Sequence, residues 1–292
     1  MSPLPEPVHL LTSAGSGAVF AHGAHVVSWV PAGVGEVGEV GEVGEVLFLS
    51  RRAEFDTATA IRGGIPICFR WFGPGRTPGM SPAHGFARTA TWHLASVDDG
   101  AERATATFRL TEADATSEWF PQSFTAELQV SFGAELEVAL TVANTGTAPF
   151  SYEDALHAYF AVGDVERIRI EGLDGAEFID KTLDPDAPTC SQAGDLSITG
   201  ETDRIYRSTG QVRIVDPVLE RTLVIDKEGS SSTVVWNPWV EKARAMADLA
   251  DEEWREFVCV EAANALGAAV ELAPGERHVT GIRVRVAPAA ER

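Results

Sequence analysis

Cysteine is scarce in this chain. Cys68, Cys190 and Cys259 are the only three among 292 residues, odd in number and without Cys-x-x-Cys spacing. That count excludes a disulfide framework and supplies no zinc ligand set, so buried reduced thiols are expected. Basic residues are few as well: 23 Lys and Arg stand against 43 Asp and Glu, a formal charge of −20. Nucleic acid and anionic membrane surfaces are thereby poor partners, because binding there depends on clustered cations. No apolar run approaches the ~18 residues that a membrane span needs, and no charged-then-apolar leader opens the chain, which therefore reads as cytoplasmic. Helical periodicity is nearly missing too, with one weak hint over residues 241–256.

What is present is alternation. Ala104, Ala106, Phe108 and Leu110, then Phe124, Ala126, Leu128, Val130 and Phe132, then Leu136, Val138, Leu140 and Val142 recur with a period of two. Amphipathic antiparallel strands follow from that spacing. Ile168 with Ile170, Val212 with Ile214, and Ile282, Val284 and Val286 carry the pattern onward. With 45% hydrophobic residues and no Pro, Ser or charged linker, the expectation is one all-β sandwich domain over residues 1–292. A tandem Val-Gly-Glu repeat at 34–46 has neither period and reads as a low-complexity surface loop. Gly33, Gly35 and Gly38 mimic the dinucleotide glycine spacing, but Glu36 and Glu39 would repel a pyrophosphate and no helix follows. His22 and His25 fit a turn between strands better than a metal site.

One stretch carries chemistry. In Ala155-Leu156-His157-Ala158-Tyr159-Phe160 the period of two sets His157 and Tyr159 on one face of a strand. Glu261 lies within Phe257-Val258-Cys259-Val260-Glu261-Ala262-Ala263-Asn264, a lone carboxylate in an apolar strand, costly to bury without work or a partner. Arg62 beside Gly63 and Gly64, and His84 with Arg88 around Gly85, are the other charged or titratable groups in glycine-bent segments. Trp236 and Trp239 flank Asn237-Pro238, as a sugar platform or as core.

These residues together resemble the aldose 1-epimerases, and within them the glucose-6-phosphate 1-epimerase branch. The resemblance spans nearly the whole chain. It rests on Arg62-Gly63-Gly64-Ile65-Pro66, Trp71-Phe72-Gly73, His84-Gly85-Phe86-Ala87-Arg88, Leu156-His157-Ala158-Tyr159-Phe160, Gly172-Leu173, Asp180-Lys181, Asp203-Arg204-Ile205-Tyr206, Trp236-Asn237-Pro238-Trp239 and Val260-Glu261-Ala262-Ala263-Asn264. It implies a galactose-mutarotase-like supersandwich, with His157 as general acid, Glu261 as general base, and Arg62, His84, Arg88 and Asp203 as substrate contacts. The implied reaction interconverts the α and β anomers of a hexose 6-phosphate. No metal, hydride carrier or other cofactor is called for, and a monomer is expected. Two positions depart from the family pattern. Ala83 stands where a sugar-binding glutamine precedes the histidine, and Arg70 stands where proline precedes Trp71, adding charge near the pocket or reaching solvent. Other readings stay open at this level: a mutarotase for unphosphorylated aldoses, a non-catalytic carbohydrate-binding sandwich, or a glycosidase using Asp203 with Glu261.

Overall fold

A computed structural model describes residues 3–32, 44–115, 119–183 and 188–288. Among these residues the strands form sheets of three, nine and eight. Every pairing between named strands is antiparallel, as the alternation requires. The three alternating runs become the neighbouring strands Ala104–Thr111, Phe124–Phe132 and Glu135–Asn144, and the residues of each run are buried. Their inner face meets that of the nine-stranded sheet in a single core, where Phe108, Leu128 and Leu140 join Leu156, Val258 and Val260. No helix among the described residues is long and apolar enough to cross a membrane.

Several expectations need correction. The stretch around His157 is not one strand: Phe150–Leu156 ends just before it and Tyr159–Ala161 begins two residues after. The hint of helix resolves into a short α-helix, Trp239–Arg244, and a 3-10 turn, Glu253–Arg255. Cys68 and Cys259 are buried free thiols, but Cys190 is only half-buried. Most of the Val-Gly-Glu repeat lies outside the described residues. Its last three positions are described, and two belong to the folded body: Val46 is buried, and Glu45 accepts hydrogen bonds from the backbone of Trp29 and Leu47 and from Ser28 Oγ.

Arg70 follows neither of its expected courses. It is buried on the strand Ile67–Arg70, caged by Phe69, Phe120, Phe124, Phe150 and Tyr152. Its Nε, Nη1 and Nη2 have no hydrogen-bond partner among the described residues, and burial pulls its pKa down to about 8. Ring faces return part of the lost hydration through cation–π attraction. An uncompensated buried charge nevertheless costs more than a packed apolar chain of similar volume. Arg70→Met is therefore expected to stabilise the protein by about 1–2 kcal/mol, raising the melting temperature by a few degrees. A calorimetric scan showing a lower melting point would mean that the cage gains more from the charge than burial costs.

Candidate active site

The site lies on the outer face of the nine-stranded sheet. Along Phe257–Asn264, Val258, Val260 and Ala262 enter the core, while Ala263 packs on the other face with Cys68, Phe72, Ala155 and Ile205. Glu261 shares that outer face by strand alternation. Register then assembles the site. Asp203 pairs with Trp236, Trp236 with Cys259, and Cys259 with Tyr159, making one row across four strands. Ile205, Val234 and Glu261 make the next. Leu156 is the partner of Ala262, so the residue after it, His157, comes opposite Glu261.

His157 Nε2 lies 3.4 Å from Glu261 Oε1, and both side chains are almost wholly buried. Neither Glu261 oxygen, nor His157 Nδ1, has a hydrogen-bond partner among the described residues. Burial raises the Glu261 pKa well above the usual carboxyl range; Asp203 adds to the shift and Lys181 opposes it. Burial likewise drives His157 well below its ordinary value, and His84, Arg88 and Arg62 add to the effect. Desolvation thus favours the neutral form of each group. The cost of burying a lone carboxylate thus appears as a raised Glu261 pKa, whereas burial displaces the histidine from the neutral range that its type suggests.

The imidazole is held by rings. Tyr159 stacks on it at 4.9 Å and 13°, as their shared face led one to expect, and Trp236 meets both rings edge-on at 5.9 and 6.0 Å. The two tryptophans have different fates: Trp236 walls the site, and Trp239 packs on Trp254 at 4.4 Å. Asn237 fixes this turn by donating to the carbonyls of Trp254 and Phe257 and accepting from the Trp239 amide.

Glycine geometry brings the remaining groups close. Gly64 has φ +60, and a Cβ there would fall 2.1 Å from Val26 O; Gly85 has φ +75, with Phe69 O at 2.0 Å. Only glycine suits such approaches. His84 itself adopts φ +64, a conformation that non-glycine residues hold mainly where surrounding structure enforces it. Its Nδ1 accepts from Gly73 N at 3.4 Å and sits 3.2 Å from Cys68 Sγ, which leaves the ring proton on Nε2. Burial lowers its pKa to about 3, so His84 is a neutral donor. Its ring centre is 5.7 Å from that of His157.

Cations ring this centre. Arg62 donates from Nε and Nη2 to Asp248 at 3.0 and 2.9 Å, and from Nη1 to the Tyr159 hydroxyl at 2.8 Å. Lys181 pairs with Asp203 at 3.2 Å and lies 5.5 Å from the centre of the Phe72 ring. Arg88 donates from Nη2 to the carbonyl of Ala83 at 2.7 Å, and its Nε has no partner among the described residues. The position that lacks the glutamine side chain thus steers Arg88 through its backbone. Every candidate site residue read from the sequence is gathered here. Two neighbours of these residues carried no expected role: Lys181, which stood in a quoted motif, and Asp248, which no motif marked.

A family model for aldose 1-epimerase matches residues 8–285. The chain belongs to the aldose 1-epimerase family. Curated relatives named "Putative glucose-6-phosphate 1-epimerase" include one from Escherichia coli, 36% identical over 83% of this chain and 78% of its own length. Another, from Cenchrus ciliaris, is 35% identical over 93% of this chain and 82% of its own length. The crystal structure of a "putative mutarotase" from Salmonella typhimurium superposes with a TM-score of 0.86 at 32% identity, covering 97% of this chain and 90% of that one. The fold is the galactose-mutarotase-like supersandwich. In this aldose 1-epimerase, burial of Glu261 has a consequence for stability. A carboxyl whose folded pKa is raised lends stability that is complete below its ordinary pKa and lost as pH rises through the raised value. Glu261→Gln is therefore expected to melt several degrees above wild type at pH 8 and by a smaller margin at pH 4. Equal margins at both pH values would mean that the carboxyl is not perturbed by burial.

Proposed function

We propose that this aldose 1-epimerase interconverts the α and β anomers of a hexose 6-phosphate, glucose 6-phosphate first among them, with His157 and Glu261 moving the protons. The observation that carries this reading is the buried Glu261 carboxylate, without a partner among the described residues and 3.4 Å from His157 Nε2. The pair shares one exchangeable proton. With that proton on His157, Glu261 takes the proton of the anomeric hydroxyl while His157 gives its own to the ring oxygen. The C1–O5 bond breaks and C1 becomes an aldehyde. Glu261 is then protonated and His157 neutral, the arrangement that desolvation favours, so the buried pair supports the open chain. Rotation about C1–C2 presents the other aldehyde face, and the reverse transfers close the ring.

His84 Nε2–H and Asp203 suit sugar hydroxyls as donor and acceptor. Trp236 offers an apolar wall to the pyranose. Arg88 suits the phosphate, since its guanidinium has donors to spare. A second reading, a mutarotase for unphosphorylated aldoses, is favoured by one observation: Arg62 already has a carboxylate partner in Asp248. Polarimetry separates the two. Freshly dissolved α-anomers of glucose 6-phosphate and glucose are followed to equilibrium with and without protein, and the proposal predicts a larger acceleration for the phosphate. Equal acceleration would select the second reading, and none would reject both.

A further inference from the structure

Arg62 looks at first like a ready phosphate clamp, yet all three of its guanidinium nitrogens are engaged. Nε and Nη2 both reach Oδ2 of Asp248, and Nη1 reaches the Tyr159 hydroxyl. A dianion approaching this arginine meets a carboxylate already in place, and like charges set side by side are strongly unfavourable. Binding at Arg62 thus requires an exchange of anions. The surroundings of Asp248 permit one. Its side chain is 30% exposed, against 23% for that of Arg62. Arg62 is the partner of its carboxylate among the described residues. The backbone beside it is pinned: Leu249 is fully buried, its carbonyl accepts from Arg52 Nη1 at 3.3 Å, and Ala250 N donates to Glu253 at 2.7 Å. A change of side-chain rotamer alone would carry the carboxylate into solvent. Arg62 is less free to leave, held by Tyr159 beneath His157.

We propose that Asp248 is a specificity-determining residue of this site, a built-in counter-ion that occupies Arg62 until the phosphate of a sugar phosphate replaces it. This inference rests on the phosphorylated-sugar reading. A neutral sugar hydroxyl is too weak an acceptor to displace a carboxylate from a guanidinium, whereas a phosphate dianion matches the same fork with greater charge. Unphosphorylated sugars therefore meet an arginine that remains neutralised.

Asp248→Asn tests the exchange, because it keeps the shape and removes the competing charge. The ratio of kcat/KM for glucose 6-phosphate to that for glucose is expected to rise about three- to tenfold, through a lower KM for the phosphate. A ratio that stays level or falls in a protein whose wild type prefers the phosphate overturns the role of Asp248 and leaves the substrate reading intact. A wild type that treats both sugars alike overturns both. Should the variant fold poorly, wild type supplies the test. The Arg62 Nε–H resonance is expected to shift with saturating glucose 6-phosphate and to stay in place with glucose, and a resonance unmoved by bound sugar phosphate would overturn the exchange.

Discussion

Glu261→Gln and His157→Asn each lower kcat for anomer interconversion by about 10²–10⁴-fold, the range for removing a positioned proton-transfer group. Glu261→Gln keeps size and polarity, whereas His157→Asn keeps a polar amide in a smaller side chain and gives up the ring contacts with Tyr159 and Trp236, so the fold of each variant is checked by its melting temperature. The amide introduced by Glu261→Gln cannot accept a proton from the anomeric hydroxyl, and the amide introduced by His157→Asn cannot deliver one to the ring oxygen. Losses of similar size in both variants, with little further loss in the double variant, would show that the two groups work as one unit. Spontaneous mutarotation is appreciable and must be subtracted. Corrected rates within about threefold of wild type would remove the pair from the mechanism, whatever its burial.

Arg88→Ala raises KM for glucose 6-phosphate by roughly 10- to 100-fold, equivalent to about 1.5–3 kcal/mol for a hydrogen bond to a charged group. The attraction must be local because the protein as a whole repels the substrate: a net charge of −20 opposes a dianion, with screening over about 8 Å at physiological salt. Three cations surround the two histidines, and two of them have acidic partners, Arg62 with Asp248 and Lys181 with Asp203. Arg88 has only the Ala83 carbonyl among the described residues. Its loss should therefore weigh most on the phosphate and lightly on glucose. Arg88→Lys should recover part of the affinity, since a point charge remains while the fork is gone. Equal effects of Arg88→Ala on both sugars would mean that this arginine holds the ring or the loop instead.

The sequence made the strands legible wherever one face is buried and the other wet. Phe108, Leu128 and Leu140 were readable because the burial alternates as the residues do. Around His157 the same logic overreached: both faces are buried there, so hydropathy carried no sign of the break between Leu156 and Tyr159. The meeting of His157 with Glu261 depends on strand register, which no local pattern encodes; the order of short motifs shared with a family pointed to it. Arg62 was visible as a cation, but its partner Asp248 is 186 residues away in sequence, in a turn without any motif. The burial of Arg70 had no sign in sequence, because a lone charge in an apolar run suggests solvent or a pocket, whereas five aromatic rings enclose it. Cys190 shows the limit of reading burial from residue type alone.

The central claim is that this chain opens and recloses the ring of a hexose 6-phosphate by moving only oxygen-bound protons. Two-dimensional exchange NMR on an equilibrium mixture of glucose 6-phosphate anomers in deuterated water tests it most directly. Exchange between the α and β C1 protons should grow in proportion to wild-type protein, stay at background with Glu261→Gln, and leave the C2 proton unlabelled. Exchange that does not depend on the protein, or deuterium appearing at C2, would contradict the account.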